Sequence, residues 1–435
     1  MQHSPLWRII FSGGALLSAS AAASKVLGIL RDRLLLQIYG DEIVDVIFTS
    51  FRIPDFFFAL LISGTIASIM IPRISPLDKT EKPIYARSFL WLVVLLFGSV
   101  CAVMALLASL LVPVFGSGFS VELQQSMVPL VRLLFGSVFL LSASSTLGAY
   151  VQSRHHFLSL ALAPILYTGF ICAGLYFFRD AFALYSVGLY AIVGAFSHML
   201  VNLIAYSIYG GSLRFSLFLP VKSWQGFWPD AIARITSASA VQINYTLDII
   251  IAGLLAAGSV TATTLGMNTG HVLLSILGYP AARYVFPLLS DHKHHYKTQW
   301  RLVKKTLTVL LLLSTIPSII AFLFAPYLIS LVFDSLTGKT LINTIIIFRF
   351  VVATLPLACC IPVLSRWFLA NDDTISPLKI SALSLGVGAA LTAVLCLLVL
   401  PSPIAVVGVG VGTALANILA FTLQSLLLHQ KYMKI

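Results

Sequence analysis

Charged side chains are scarce: Asp, Glu, Lys and Arg together make up 10% of the 435 residues, against about 25% in an ordinary soluble domain. Acid is scarcer than base, with 15 Asp+Glu against 27 Lys+Arg. Hydrophobic residues fill 59% of the chain and mean hydropathy is +0.99. So few charges cannot cover a core of that size, which excludes a soluble enzyme, a disordered chain and a nucleic-acid binder. Cysteine is also sparse. The five, Cys101, Cys172, Cys359, Cys360 and Cys396, lie in apolar stretches with no CxxC and no metal-like spacing to histidine, so they read as apolar filler. Long loops are missing too. The longest, about 209–227 and 288–303, are too short for a catalytic domain and carry no carboxylate pair or metal motif. The His292-Lys293-His294-His295 tract lies in the second of these, among basic residues, and reads as a topology signal rather than a metal site. No enzyme activity is expected.

What the chain has instead is apolar runs. A helix needs about 20 mostly apolar residues to cross a bilayer core. Twelve runs qualify, near 9–30, 43–71, 88–114, 124–152, 157–178, 184–208, 228–254, 260–287, 304–333, 341–369, 377–400 and 404–428. The first resembles a signal peptide, with Arg8 before it and Ser20-Ala21-Ala22-Ala23 as a cleavage-like site. Lys25 and Arg31 follow at once and the helical pattern continues, so it is expected to stay uncleaved. With twelve spans, both termini share one side. Seventeen of the 27 cations fall on that side, four on the other (Arg31, Arg33, Arg179, Lys339), and six within spans. Lys and Arg concentrate in cytoplasmic loops, so both termini are expected in the cytoplasm.

The chain also reads as duplicated near residue 215. Span two ends Ile71-Pro72-Arg73-Ile74-Ser75 and span eight ends Phe286-Pro287-Leu288-Leu289-Ser290. Span four exits through Ser153-Arg154 before Ala163-Pro164, and span ten through Ser365-Arg366 before Ser376-Pro377. The expected fold is all-α: about twelve transmembrane helices in two pseudo-symmetric six-helix lobes, residues 1–215 and 216–435, around a central cavity. Parallel repeats of this kind work by alternating access.

A charge inside the bilayer is costly and marks a functional candidate. Lys25 and Asp32, seven apart, share one helix face, and Asp45, Arg52 and Asp55 follow on one stripe. Lys25, Arg31 and Arg52 bring three cations against few anions, which suits an anionic head group, since arginine grips phosphate oxygens bidentately. Asp32 and Asp55 fit that cavity or a pairing that locks helices together. Asp45 and Asp55 fit gating or structural charges. Asp248 is the only acid deep in a second-half span, with Asn244 four residues before it. The two suit a site for Na⁺ or H⁺, or a hydrogen bond to a neighbouring helix. Thr264, Asn268 and His271 share a face, as do Gly194, His198 and Asn202, and such stripes read as interhelical glue.

These residues resemble the MurJ/MviN lipid II flippases of the multidrug/oligosaccharidyl-lipid/polysaccharide exporter superfamily. The pattern S-R-V-L-G-x-x-R-D stands as Ser24-Lys25-Val26-Leu27-Gly28-Ile29-Leu30-Arg31-Asp32. A second pattern stands as Asp45, then Phe51-Arg52-Ile53-Pro54-Asp55, Ser63-Gly64 and Pro72. A third runs from Ala256-Ala257-Gly258-Ser259-Val260-Thr261 to Phe286-Pro287-Leu288-Leu289-Ser290, and a fourth is Phe368-Leu369-Ala370-Asn371-Asp372-Asp373-Thr374-Ile375-Ser376-Pro377. The resemblance implies two six-helix lobes around a basic cavity for the pyrophosphate-sugar head group of a polyprenyl-linked precursor. It also implies a bacterial inner-membrane location. By position Lys25, Arg31, Asp32, Asp45 and Arg52 match functional or cavity charges of the family, and Asp248 a position associated with cation binding; Lys25, Arg31, Asp32 and Arg52 are expected to bind substrate. The sequence departs from the family where a pair of arginines is replaced by Phe58 and Ala59, a glutamate by Ser63, and a cavity arginine by Asn268, which takes that substrate-facing place. Family members commonly have fourteen helices. The expected function is an alternating-access flippase for a lipid II-like glycan, acting as a monomer in the bilayer with no cofactor beyond a coupling Na⁺ or H⁺. The alternatives are a cation-coupled exporter of small amphiphiles and a non-transporting envelope scaffold.

Overall fold

The computed structural model describes residues 5–61, 65–74, 77–78, 80–178, 184–216, 242–292, 295–371, 373, 375–401 and 404–433. Ser63, Gly64, Arg179, Lys222, Arg234, Lys293, His294 and the start of the seventh expected span lie outside these. Every regular element among the described residues is a helix. They are α1 (Pro5–Leu61), α2 (Thr65–Ile74), α3 (Glu81–Leu106), α4 (Ala108–Phe115), α5 (Val121–Ser153), α6 (Leu158–Phe177) and α7 (Ser186–Ile208). After α8 (residues 242–253) come α9 (Ser259–Gly270), a π-helical turn (Leu274–Gly278) and α10 (Tyr279–Asp291). Then follow α11 (Tyr296–Leu323), α12 (Ala325–Val332), α13 (Gly338–Ala370), α14 (Ile375–Val394), a second π-turn (Leu395–Val399) and α15 (Val407–Met433).

Nine stretches among the described residues are long and apolar enough to cross a membrane. The first expected span and most of the second fall together in α1, and the end of the second falls in α2; α1 breaks at Gly40 (φ 73°, ψ 169°), a left-handed backbone that glycine adopts without penalty. The protein is a helical, multi-pass membrane protein. Prolines such as Pro129, Pro356 and Pro362 sit inside long helices, where neighbouring helices make the lost backbone bond tolerable.

The duplication is written into the helix boundaries. α4 starts at Ala108 and α12 at Ala325, α5 at Val121 and α13 at Gly338, α6 at Leu158 and α14 at Ile375, each pair 217 apart. The partners also match in length, at 8, 33 and 20 residues. One interaction repeats with them. Arg132 Nε donates to the Ala105 carbonyl and Arg349 Nε to the Phe322 carbonyl, both at 3.3 Å and both 27 residues back. Each arginine thus ties the end of one long helix to the next long one, α3 to α5 and α11 to α13, across the short helix between them. The pairing of Ser153-Arg154 with Ser365-Arg366 as helix exits needs correction. Ser365 and Arg366 lie inside α13, and Ser153 matches its last residue, Ala370.

Contacts divide the chain into two compact units: residues 1–38 with 49–242, and residues 39–48 with 243–435. The expected start of the second lobe, residue 216, abuts the undescribed residues 217–241. Within the first unit, α5 packs on α7 and α7 on α6. The Gly194, His198, Asn202 stripe works there as glue: Asn202 Nδ2 donates to Ser144 Oγ at 3.0 Å, and Ser144 Oγ lies 2.7 Å from His198 Nδ1.

Within the second unit, α13 packs against α9, α11 and α15. The turn after α13 is tied to α15 by an ion pair between Asp373 and Lys431, and Asp373 Oδ1 accepts from the Ser376 amide at 2.9 Å. Burial pushes the Asp373 carboxyl up, but the hydrogen bonds from Lys431 and Ser376 and the Lys431 charge outweigh it and hold the carboxyl below its usual range. A depressed carboxylate contributes stability above its unfolded value of about 3.9 and loses it as pH falls through the folded value. Asp373→Asn should therefore lower stability at pH 7 by about 0.2–1 kcal/mol, the range of a partly exposed pair. Thermal unfolding at pH 7 and pH 3 checks this, because the gap between wild type and variant should close in acid.

Candidate substrate and ion sites

The first half of α1 carries Lys25, Arg31 and Asp32, and its stretch beyond Gly40 carries Arg52 and Asp55. All five belong to the first unit. Asp32 is buried at 3% exposure, and Arg31 donates to its Oδ1 from Nε at 2.9 Å and from Nη2 at 2.6 Å. Residues i and i+1 do not face each other on a helix, yet the long guanidinium stem bends back to its neighbour. Lys25, half-buried, is within electrostatic reach of both. The Arg31 guanidinium also lies over the Phe51 ring, 5.8 Å from its centroid.

Arg52 is buried at 8% exposure and donates from Nη2 to the Gln242 carbonyl at 3.1 Å. With its amide oxygen turned to the guanidinium, the Gln242 side chain accepts from Nη1 at 3.0 Å as well. Asp55, one turn on, is exposed and lies within electrostatic reach of Arg52 and Arg31. A further group joins them that the sequence did not single out. Tyr167 of α6 lies near Arg31 and Asp55 and is hydrogen-bonded with Ser137. Gly194 lets α7 pack closely on α6 at this residue, since a methyl there would stand 2.5 Å from the Tyr167 carbonyl oxygen. The first unit therefore gathers three cations, two carboxylates and a phenol. Nothing in the apolar run 157–178 sets Tyr167 apart from other aromatics.

Asp45 belongs elsewhere. It lies in the 39–48 segment of the second unit, buried at 2% exposure. Its Oδ2 accepts from the Gly258 amide at 2.7 Å and its Oδ1 from the Thr261 amide at 2.6 Å. These are N–H groups at the start of α9, left without intrahelical partners, so the carboxylate serves as a cap supplied from a distant segment. Asp41 adds to this anchor: its backbone carbonyl accepts from Thr261 Oγ1 at 3.1 Å and its carboxylate from Thr340. Gly258 has a left-handed φ of 85°, and a methyl on it would stand 2.3 Å from Thr340 Oγ1.

Asp248, at 1% exposure, and Asn244 sit one turn apart on α8, with Asn244 Nδ2 donating to Asp248 Oδ2 at 3.2 Å. Asn244 Oδ1 is buried and has no hydrogen-bond partner. The Asn244 N–H group faces the carboxylate, and the unsatisfied Oδ1 of the same amide is a second hard oxygen donor on this turn, chemistry that suits Na⁺ or a proton. Asn268 is half-buried on α9 of the second unit.

The family model described as "Lipid II flippase MurJ" matches residues 38–434. The chain belongs to the MurJ family. A protein named "Probable lipid II flippase MurJ" from Buchnera aphidicola is 25% identical over 391 residues, 83% of this chain and 73% of its own length. A MurJ relative of the same name from Rhizobium tropici is 23% identical over 410 residues, covering 89% of this chain and 75% of its own. The fold agrees. A solved "Lipid II flippase MurJ, inward closed conformation" superposes with a TM-score of 0.79 over 94% of this chain and 86% of its own, at 17% identity. An inward-facing multidrug resistance transporter of the MATE family and MOP superfamily gives 0.76 over 94% of this chain and 95% of its own, at 14% identity. The MurJ match begins after the Lys25-to-Asp32 pattern, so those positions rest on the residues themselves.

Proposed function

We propose that the protein is a flippase that carries a polyprenyl-pyrophosphate-linked glycan of the lipid II type across a bacterial inner membrane by alternating access. Lys25, Arg31 and Arg52 contact the phosphates, and Asp32 and Asp55 hold those cations in place between substrates. The observation that carries this reading is the excess of cation over carboxylate in the first unit, with the Arg31 and Arg52 guanidinium groups both reaching Asp55 electrostatically. An anion displacing these carboxylates gains charge-assisted hydrogen bonds without a new set of cations having to be assembled. Phe58 and Ala59 supply no charge where the family has arginines, so the hold on pyrophosphate rests on fewer groups. Both termini face the cytoplasm in this reading, and the chain acts as a monomer. Complementation of a strain depleted of its lipid II flippase tests it. Growth is expected, whereas failure of a correctly inserted protein would direct the assignment to another polyprenyl-linked glycan.

Asp248 and Asn244 bind the coupling Na⁺ or H⁺ in the second unit, supported by the buried carboxylate and the unsatisfied Asn244 Oδ1. Asp248→Asn should leave downhill exchange of substrate measurable while abolishing its response to an imposed Na⁺ or H⁺ gradient in vesicles. A variant that keeps the full gradient response would refute the assignment.

A further inference from the structure

The first unit has a second recess that the transport reading does not use, a cleft of about 510 Å³. Leu16 of α1, Leu162 of α6, and Val201 and Ala205 of α7 form its walls. Its rim is open and apolar, with Leu158 61% and Ile208 72% exposed. In a membrane protein such a rim faces lipid, so the cleft is filled from the bilayer. Its mouth has a different character. His155 and His156 lie there, both exposed, with the His156 ring stacked on Tyr209 at 3.7 Å between centroids. Arg154 beside them is held by the Tyr150 hydroxyl at 3.3 Å and the Tyr209 carbonyl at 3.4 Å. The two turns at this end, residues 151–160 and 205–216, carry Arg154, His155, His156 and Arg214 and no carboxylate at all. Ser159 also lines the cleft, at 7% exposure, and its Oγ is buried without a hydrogen-bond partner. An orphaned buried hydroxyl is destabilising unless an acceptor reaches it.

We propose that this cleft seats an anionic glycerophospholipid. The phosphate rests against the His155 and His156 ring N–H groups and the Arg154 charge, an ester carbonyl accepts from Ser159 Oγ, and one acyl chain fills the apolar trough. The groups that line the cleft decide the occupant: two imidazoles with Arg154 next to them in the chain, a hydroxyl donor and a hydrocarbon wall. That set matches phosphate, ester carbonyl and acyl chain, whereas a polyprenyl phosphate has no ester carbonyl to satisfy Ser159. Basic groups at a membrane interface also favour anionic head groups.

The test is native mass spectrometry of the full chain released from nanodiscs of equal phosphatidylglycerol and phosphatidylcholine. Wild type should retain one phosphatidylglycerol in preference to phosphatidylcholine. Ser159→Val should lower retention several-fold. Ala205→Trp, which fills the trough, should lower it at least tenfold, and His155→Ala with His156→Ala should remove the head-group preference. Should Ala205→Trp fail to fold, Leu162→Trp makes the same test from the opposite wall. Unchanged retention in a trough-filling variant that melts like wild type would overturn the proposal. So would displacement of the lipid by undecaprenyl phosphate or by inorganic phosphate alone.

Discussion

Replacing Arg31 by alanine is expected to lower the rate of head-group translocation in reconstituted vesicles at least tenfold. A hydrogen bond to a charged group contributes about 1.5–3 kcal/mol, and 1.4 kcal/mol is a factor of ten. Arg31 presents its guanidinium to Asp32 through two such bonds at 2.9 and 2.6 Å, and the same fork fits a phosphate. Alanine has a second consequence, because it leaves Asp32 buried at 3% exposure without the two hydrogen bonds from Arg31. Removing one member of a buried pair costs about 3–5 kcal/mol. The double change Arg31→Ala with Asp32→Asn removes that penalty and separates the two effects: melting temperature should recover while translocation stays low. Arg31→Lys keeps the charge but loses the planar fork, and should fall between wild type and alanine. Undiminished translocation by Arg31→Ala would rule out its contact with substrate.

Asp45→Ala should be the most destabilising single substitution among the membrane-embedded charges, by about 3–5 kcal/mol. Two backbone amides, of Gly258 and Thr261, would lose their acceptor in a site where Asp45 is 2% exposed. Asp45→Asn keeps the shape but offers one acceptor oxygen in place of two, and should cost about half as much. Thermal unfolding in detergent reads both. The cap assignment also predicts that whichever Asp45 variant remains folded transports at a rate per molecule close to wild type. Lost transport at unchanged stability would make Asp45 a gating charge instead.

The spans were legible because a bilayer demands long apolar runs, and eleven of the twelve expected runs meet helices along their length. The duplication was legible as well, but not its register. Short motifs such as Ser365-Arg366 recur by chance among apolar helices, whereas helix starts 217 residues apart are fixed by the backbone. Among the site residues, helical periodicity placed Lys25 and Asp32 on one face, and the two are indeed in electrostatic reach. It could not show that Asp32 takes its hydrogen bonds from adjacent Arg31, because that contact depends on the length of a flexible side chain. Nor could it show that Asp45 caps α9 at its N-cap residue Gly258, 213 residues later. That contact follows from the break at Gly40, which hands residues 39–48 to the second unit. Tyr167 and Gln242 were hidden for a similar reason, since the charged groups they meet, Arg31 and Asp55 for the one and Arg52 for the other, lie more than a hundred residues away in sequence.

The central claim is that the basic cluster of the first unit recognises a diphosphate. Its most direct test is translocation by the wild-type chain of two lipids in the same vesicles, a polyprenyl-pyrophosphate glycan and a neutral glycolipid with the same polyprenyl tail and sugar. The account predicts that the diphosphate lipid crosses at least tenfold faster, and that Lys25→Ala with Arg52→Gln erases the difference. Equal rates for the two lipids in the wild type would contradict it.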